Sequence, residues 1–323
     1  MNAFATEYSV FYTLVENLFN SDGELDIAQS DNKKNSLESL ILNSENIKKE
    51  PQVVSNDTKI QKKTERTLPD YDTILSKNVL PPMGPMQLDK LERNVLNIDI
   101  FGLISEQNIC VIVDKSAPEV IFTKRYISQI EVNKALLPGF NIAADKWLFQ
   151  RLTKTFDLKI MQSLVDNKNF PTGVLSINMN VSTIFTKKFD GFIVKQKQLS
   201  KNPLIVEIPL FDIMSNLTEY FKAQEKLTKL GCKICISKMD IQSLYILNRE
   251  LINVDFIKIH WHKSYKRTLG IEEKDKIINA IKAQGKMRVV LSDCDSQEAL
   301  EFGNQIGIVI YQGFEVDKLQ SLS

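Results

Sequence analysis

Six apolar runs in the C-terminal two-thirds of the chain end in polar residues. These are Asn178 in VLSINMN, Glu207 in LIVEIP, the pair Ser237 and Lys238 in ICISKMD, Lys258 in FIKIHW, Ser292 in RVVLSDCDS and Gln312 in IVIYQG. In a parallel barrel the C-terminal strand ends converge on one mouth, where a reaction site is built. Cation-assisted chemistry at such a mouth needs clustered oxygen ligands, mainly carboxylates. This row offers one carboxylate, Glu207, among lysines and neutral side chains. The pattern marks where a site would stand and indicates that its chemistry is gone.

The elements that must position these residues follow from periodicity. From about residue 88 onward, strand-like runs alternate with amphipathic helices. Strands are predicted at 109–113, 119–127, 173–179, 204–209, 233–237, 256–260, 288–292 and 307–311. Helices are predicted at 143–166, 182–199, 211–230, 273–284 and 296–305, with a helical turn near 241–251. Gly231 is placed to stop the third of these helices. Strands alternating with helices of this length imply βαβ units and a parallel sheet. Repeated within one domain, they imply a single closed α/β barrel over residues 89–323.

The N-terminal part differs in texture. Residues 1–20 carry Val10, Phe11, Leu14, Val15, Leu18 and Phe19 on one face of a predicted amphipathic helix. That helix reads either as docking on its own domain, or a copy of it, or as a peptide for a partner's groove. Residues 21–88 are rich in Asn, Ser, Lys, Glu and Asp, and end in the PPMGP run Pro81–Pro85. Too little apolar surface is available there to offset the entropy of ordering, so the segment reads as a disordered linker.

Composition narrows the class. A chain of 323 residues with 43% hydrophobic and 25% charged residues can bury a sizeable core. Its net charge of +1 argues against a general electrostatic grip on nucleic acid or acidic lipid. No apolar run reaches the roughly 18 residues of a membrane span, and the N-terminus lacks the pattern of a signal peptide. The four cysteines, Cys110, Cys232, Cys235 and Cys294, lie in apolar runs. They read as buried thiols of a reducing cytoplasm, with the Cys232–Cys235 spacing at a strand entry and not in a redox or zinc loop.

Five blocks carry a resemblance. SINMNVSTIFTKKF resembles the "vNlS…F" element of the EAL-domain family of cyclic di-GMP phosphodiesterases, and IVEIPLFDIM resembles its "lEiTE". KLGCKICISKMDIQSLYIL is similar to "LG…ialDDFGtGyssL", and VDFIKIHW to "D.iKiD". RVVLSDCDSQEALEFGNQIGIVIYQGFEV resembles "vvAEGVEt.eql…lG…QGyyf". The blocks run in family order over residues 173–315, and the match is weaker before residue 173. The resemblance implies a (β/α)8 TIM-like barrel of the EAL type, and, in active members, two-metal hydrolysis of a phosphodiester.

Carried over by position, the resemblance matches Asn178, Glu207, Lys258 and Gln312 to family site residues. Ser237 and Lys238 stand in place of the paired aspartates, Ser292 in place of the first Glu of "EGVE", and Asp295 in place of its second. Pro209 and Leu210 replace the end of "ExTE", which should loosen the loop after the aspartate pair, and His260 replaces the Asp after "Ki". Two registers of the EAL motif remain open. One places Glu119 on the motif's glutamate; the other, which is favoured, places Lys124 there and Ser128 on the substrate-binding arginine. The segment from there to Trp147 is shorter than in active members, which suggests a missing helix. In the favoured register one carboxylate and three lysines, Lys124, Lys238 and Lys258, occupy positions where active members carry mostly acids. An ammonium at a metal position repels a divalent cation, so neither a metal nor a cofactor is expected.

Plain structural roles are also open to these residues. Glu207 would pair with Lys238 or Lys258, and Asn178 and Gln312 would bond neighbouring backbone. His260 and His262 lack a third metal ligand, and the basic run His262–Arg267 reads as a solvated loop. The expectation is a catalytically inactive EAL-like barrel serving as an interaction or regulatory module in bacterial signalling. A protein partner is expected and a homodimer is left open, with the N-terminal segment as a tether. The alternative is a metal-independent receptor for cyclic di-GMP or another phosphate ligand, contacted by Lys124, Lys238 and Lys258. A third reading, residual hydrolysis, requires Glu119 at the mouth.

Overall fold

The computed structural model describes residues 80–98, 100–113, 116–166, 173–245, 247, 249 and 252–322. The predicted helix at 1–20 and the linker up to residue 79 lie outside them. Residues 80–88, expected to close the linker, belong instead to the folded domain. Pro82 bridges to Asn141, Met83 is buried, and helix α1 (Pro85–Asn97) begins with its proline in the first turn. Leu88, Leu91 and Val95 make the buried stripe of α1. Proline spacing reads as a breaker in sequence, but here it starts a helix whose apolar face has somewhere to go.

Eight strands close a barrel in sequence order: β1 (Ile104–Val111), β2 (Glu119–Ile127), β3 (Leu175–Asn178), β4 (Ile205–Pro209), β5 (Lys233–Met239), β6 (Phe256–His260), β7 (Val289–Ser292) and β8 (Ile310–Gln312). Strands β2 to β8 are parallel, as the alternating pattern predicts. Strand β1 runs antiparallel to both β2 and β8. The short connection from Val111 to Glu119 has no room for the crossover a parallel pair requires, so it turns back as a hairpin.

Helices α2 (Gln129–Leu136) and α3 (Lys146–Asp166) follow β2. Helix α2 stands within the segment between Ser128 and Trp147 that reads as shortened. The predicted helix 182–199 is two helices, α4 (Val181–Ile184) and α5 (Lys187–Leu199), because the Thr186 hydroxyl accepts from Phe189 N–H and caps the second. The predicted helix 211–230 likewise divides at Asn216 into α6 (Leu210–Ser215) and α7 (Leu217–Lys229). Gly231, with φ of 73°, stops α7 as expected. Helices α8 (Tyr265–Thr268), α9 (Ile271–Gln284), α10 (Gln297–Gln305) and α11 (Phe314–Ser321) complete the outer layer, and the turn at 241–251 contains a 3-10 helix, Ile241–Tyr245.

The barrel interior is plugged by Ile109, Phe122, Ile205, Cys235, Val290 and Ile310, with the Phe122 and Phe256 rings 5.4 Å apart. All four cysteines are free and buried, and burial pushes the Cys235 thiol up to about 12. The interior is thus a packed core closed below the mouth. Beyond β8, Gly313 has φ of 155° and lies against the loop after β7, where Cys294 N–H donates to Gln312 C=O. A Cβ on Gly313 would stand 2.4 Å from Cys294 backbone atoms. Gly313→Ala is expected to lower stability by about 2–3 kcal/mol in a denaturant titration, because backbone must move to admit the methyl group.

Candidate functional site

Side chains alternate across a strand, so Phe122 and Lys124 point the same way from β2, and Ile205 and Glu207 the same way from β4. The lower member of each pair joins the apolar plug, and the upper member sits above it. Glu207 is fully buried and is the centre of this layer. Its Oε2 accepts from Lys124 Nζ at 2.8 Å, and its Oε1 from Lys258 Nζ at 2.5 Å and from Ser176 Oγ at 2.5 Å. Both carboxylate oxygens are therefore engaged by groups of the barrel itself.

Electrostatics follow from that geometry. Burial opposes the charge on Glu207, but the Lys124 and Lys258 ammonium groups outweigh it and hold the carboxyl well below the usual range. Burial also works against charge on both lysines. Attraction to Glu207 prevails at Lys124 and raises its pKa, whereas burial prevails at the more enclosed Lys258 and lowers it. Lys258 Nζ also lies 6.0 Å from the centre of the Phe122 ring.

The Glu207–Lys258 pair is one of the two expected pairings. The second partner of Glu207 is Lys124, not Lys238. The β5 bulge turns Lys238 away, with φ of 57°, so that the residue is exposed and its ammonium lies 5.6 Å from the Phe149 ring centre. Lys238 remains at the rim: burial around its ammonium, then the charge on Lys124, lower its pKa, and Asp293 opposes them.

Other predicted residues gather at the same end with local tasks. Ser237 is buried beside Pro209 in the β4–β5 register. Ser292 Oγ donates to Ile259 C=O at 3.2 Å. Gln312 Nε2 donates to Gln107 Oε1 at 2.7 Å, a side chain and not the backbone expected, and Gln312 Oε1 is buried with no partner among the described residues. Asn178 is half-buried, pairs in register with Glu207, and lines a cavity of about 50 Å³ with Arg125, Tyr126, Thr153 and Asp157.

Glu119 lies at the start of β2, exposed and paired in register with Val111, at the end of the barrel opposite the mouth. Glu119 therefore stands away from Lys124, Glu207 and Lys258, which meet at the mouth. Ser128 caps α2, its hydroxyl accepting from Glu131 N–H. Asp295 accepts from Phe314 N–H at the start of α11.

His260 Nδ1 bonds Met239 C=O at 2.9 Å, whereas His262 Nδ1 bonds Ser264 Oγ at 2.6 Å, so the two rings serve separate contacts. The loop after β5, expected to be loosened by Pro209 and Leu210, is tied by that His260 bond and by Tyr265 Oη donating to Asp240 Oδ2 at 2.9 Å. Among the described residues no group of three or more His, Cys, Asp or Glu has a geometry for holding a metal ion.

Two features went unread in the sequence. Ser176, the third donor to Glu207, sits two residues before Asn178 and hence on the same strand face, a signal that period-two alternation provides. The second is a buried acid network behind β3 and β4. Asp157 Oδ2 of α3 accepts from Asn180 N–H, Asn180 Nδ2 and Thr183 Oγ1 at 2.7–2.8 Å. Asp212 Oδ2 of α6 accepts from Val181 N–H at 2.6 Å, and Gln150 Nε2 donates to both Asp212 Oδ1 and Asn180 Oδ1. The loop that leaves Asn178 is thus clamped by two carboxylates. Burial pushes the Asp157 carboxyl up to about 7, with the Asp212 charge adding to the rise and the bonds from Asn180 and Thr183 opposing it.

Residues 136–318, more than half of the chain, match the EAL domain model. No curated protein matches. Among solved structures, the FimX EAL domain from Pseudomonas aeruginosa bound to c-di-GMP is 16% identical, with a TM-score of 0.45, covering 72% of this chain and 94% of that one. The apo Vibrio cholerae LapD S helix-GGDEF-EAL structure is 17% identical, with a TM-score of 0.48 and coverages of 73% and 58%. The Klebsiella pneumoniae BlrP1 manganese/cy-diGMP complex is 14% identical, with a TM-score of 0.47 and coverages of 66% and 55%.

Proposed function

The chain belongs to the EAL domain family, and from that premise we propose that it is a hydrolytically inactive member, working as a protein-interaction or regulatory module of cyclic di-GMP signalling. The observation that carries this reading is the occupation of both Glu207 oxygens by Lys124, Lys258 and Ser176. Two divalent ions need several free carboxylate oxygens in one place. Here the single central carboxylate is neutralised from both sides, and Ser237 and Ser292 offer only hydroxyls. The residues at the mouth do not fit a two-metal centre.

The reading is tested by incubating the full chain with cyclic di-GMP and Mg²⁺ or Mn²⁺, separating nucleotides chromatographically, and titrating binding in parallel. No linear dinucleotide should form, and saturable Mn²⁺ binding should be absent. Turnover would overturn the reading. A second reading, metal-independent binding of cyclic di-GMP or another phosphate ligand, is favoured by Lys238, which stands at the rim outside the Glu207 ion pairs. Against it stands Ser128, spent as a helix cap where the family places arginine. Binding without metal and without product would select the receptor; absence of binding under both conditions supports the interaction module. Protein partner, self-association and a cytoplasmic setting belong to the same proposal.

A further inference from the structure

Helix α5 divides cleanly into an inner and an outer face. Phe189, Phe192, Ile193 and Gln196 are buried against the barrel, and every other residue of the helix is exposed. At about 3.6 residues per turn, the outer arc gathers Lys187, Lys188, Lys195 and Lys197 along about 15 Å of helix. None of these four has a carboxylate within ion-pair distance among the described residues. The arc's one acid, Asp190, is held at 2.6 Å by Lys226 of α7, so it does not offset them. The middle of the arc is nearly bare. Gly191 stands one turn from both Lys187 and Lys195, with Val194, 59% exposed, beside it. Nothing lies within 4 Å of where a Cβ on Gly191 would stand, so packing inside the domain does not call for glycine. Glycine is a poor helix former, and its use in a helix interior points to close approach by another group.

We propose that the outer face of α5 docks an acidic α-helix of a partner protein, packed over Gly191 and Val194 with its carboxylates reaching the lysines on either side. Charge complementarity sets the sign of the partner, and the bare centre sets its shape. An anionic bilayer or a nucleic-acid backbone is met by lysine tips and gains nothing from a missing side chain between them. The two aromatic rings of α5 are buried, so no base can stack on them. A helix, by contrast, is a rod that settles into the gap at Gly191. The proposal rests on the interaction-module reading and gives it a partner chemistry. The two fail separately: nucleotide turnover would overturn that reading without altering docking on α5, and loss of docking would leave the nucleotide assays unchanged.

The test is fluorescence anisotropy of a labelled helical peptide, glutamates on an alanine background, titrated with the full chain at low salt. Saturable binding is expected, at least about tenfold tighter than for the same peptide with lysines in place of glutamates, and weaker at high salt. Lys187→Glu with Lys195→Glu should cut affinity at least about tenfold. Lys276→Glu with Lys282→Glu, the same charge change at exposed positions of α9, should leave it within about twofold. Gly191→Gln should weaken binding several-fold while holding or raising the melting temperature, which separates docking from folding. Absence of saturable binding, equal losses in the α5 and α9 pairs, parent-like affinity of Gly191→Gln, or preferential capture of the chain by phosphatidylglycerol vesicles or homopolymeric RNA would each overturn the proposal.

Discussion

Glu207→Gln should destabilise the barrel by about 3–5 kcal/mol, the usual consequence of removing one partner from a buried ion pair. Glutamine matches glutamate in shape, so the loss is electrostatic. Lys124 and Lys258 would then face each other across a fully buried position with no counter-charge. Against a typical domain stability of about 5–15 kcal/mol, the loss is severe. Urea titration at neutral pH would measure it. Lys124→Met, Glu207→Leu and Lys258→Met combined should recover most of the stability, since a buried ionic triad can often be exchanged for packed apolar groups at little cost. A triple variant as unstable as Glu207→Gln would show that the layer is held by something other than this triad. The same carboxylate sets an acid limit. Its folded pKa lies below the unfolded one, so its contribution is complete above the ordinary carboxylate range and is lost as pH falls below about 4.5.

The second large effect has the opposite sign. Asp157 titrates near 7 in the fold and near 3.8 as an ordinary aspartate. Between those values the folded state holds a proton that the unfolded chain has released, so stability should fall as pH rises through this window and level off above it. The full span is on the order of 4 kcal/mol. Asp212 on α6 adds to the rise in pKa, while Asn180 and Thr183 limit it. Asp157→Asn keeps an oxygen for the three donors and removes the ionisation. It should match the parent near pH 4, exceed it at pH 8 by about 2–4 kcal/mol, and flatten the slope between. Denaturant titrations at several pH values would show this, and an unchanged slope in the variant would refute it.

The architecture was legible because each helix carries an apolar stripe and each strand a short apolar run, and their alternation allows few topologies. The direction of β1 depended on recognising that the connection to β2 is too short for a crossover. The PPMGP run looked like linker because composition says nothing about whether a nearby surface will accept Leu88 and Leu91. Asn178, Glu207, Lys258 and Gln312 could be singled out because parallel strands deliver their ends to one place. That Lys124 and not Lys238 reaches Glu207 depends on register between β2 and β4, which are not neighbours, and on a bulge in β5. No local pattern encodes either. Asp157 was missed since a lone acid within an amphipathic helix ordinarily faces water.

The antiparallel β1 has a consequence for how the chain comes into being. The barrel is sealed only when β8, the last of its strands in chain order, zips onto β1, and the side-chain bond from Gln312 to Gln107 spans 205 positions. During synthesis the other strands can assemble in order, but β1 and β7 stay open edges until the last strand leaves the ribosome. Closure is therefore a late, non-local event, and the nascent chain passes through a stage in which unpaired strand edges are available to chaperones or to neighbouring chains.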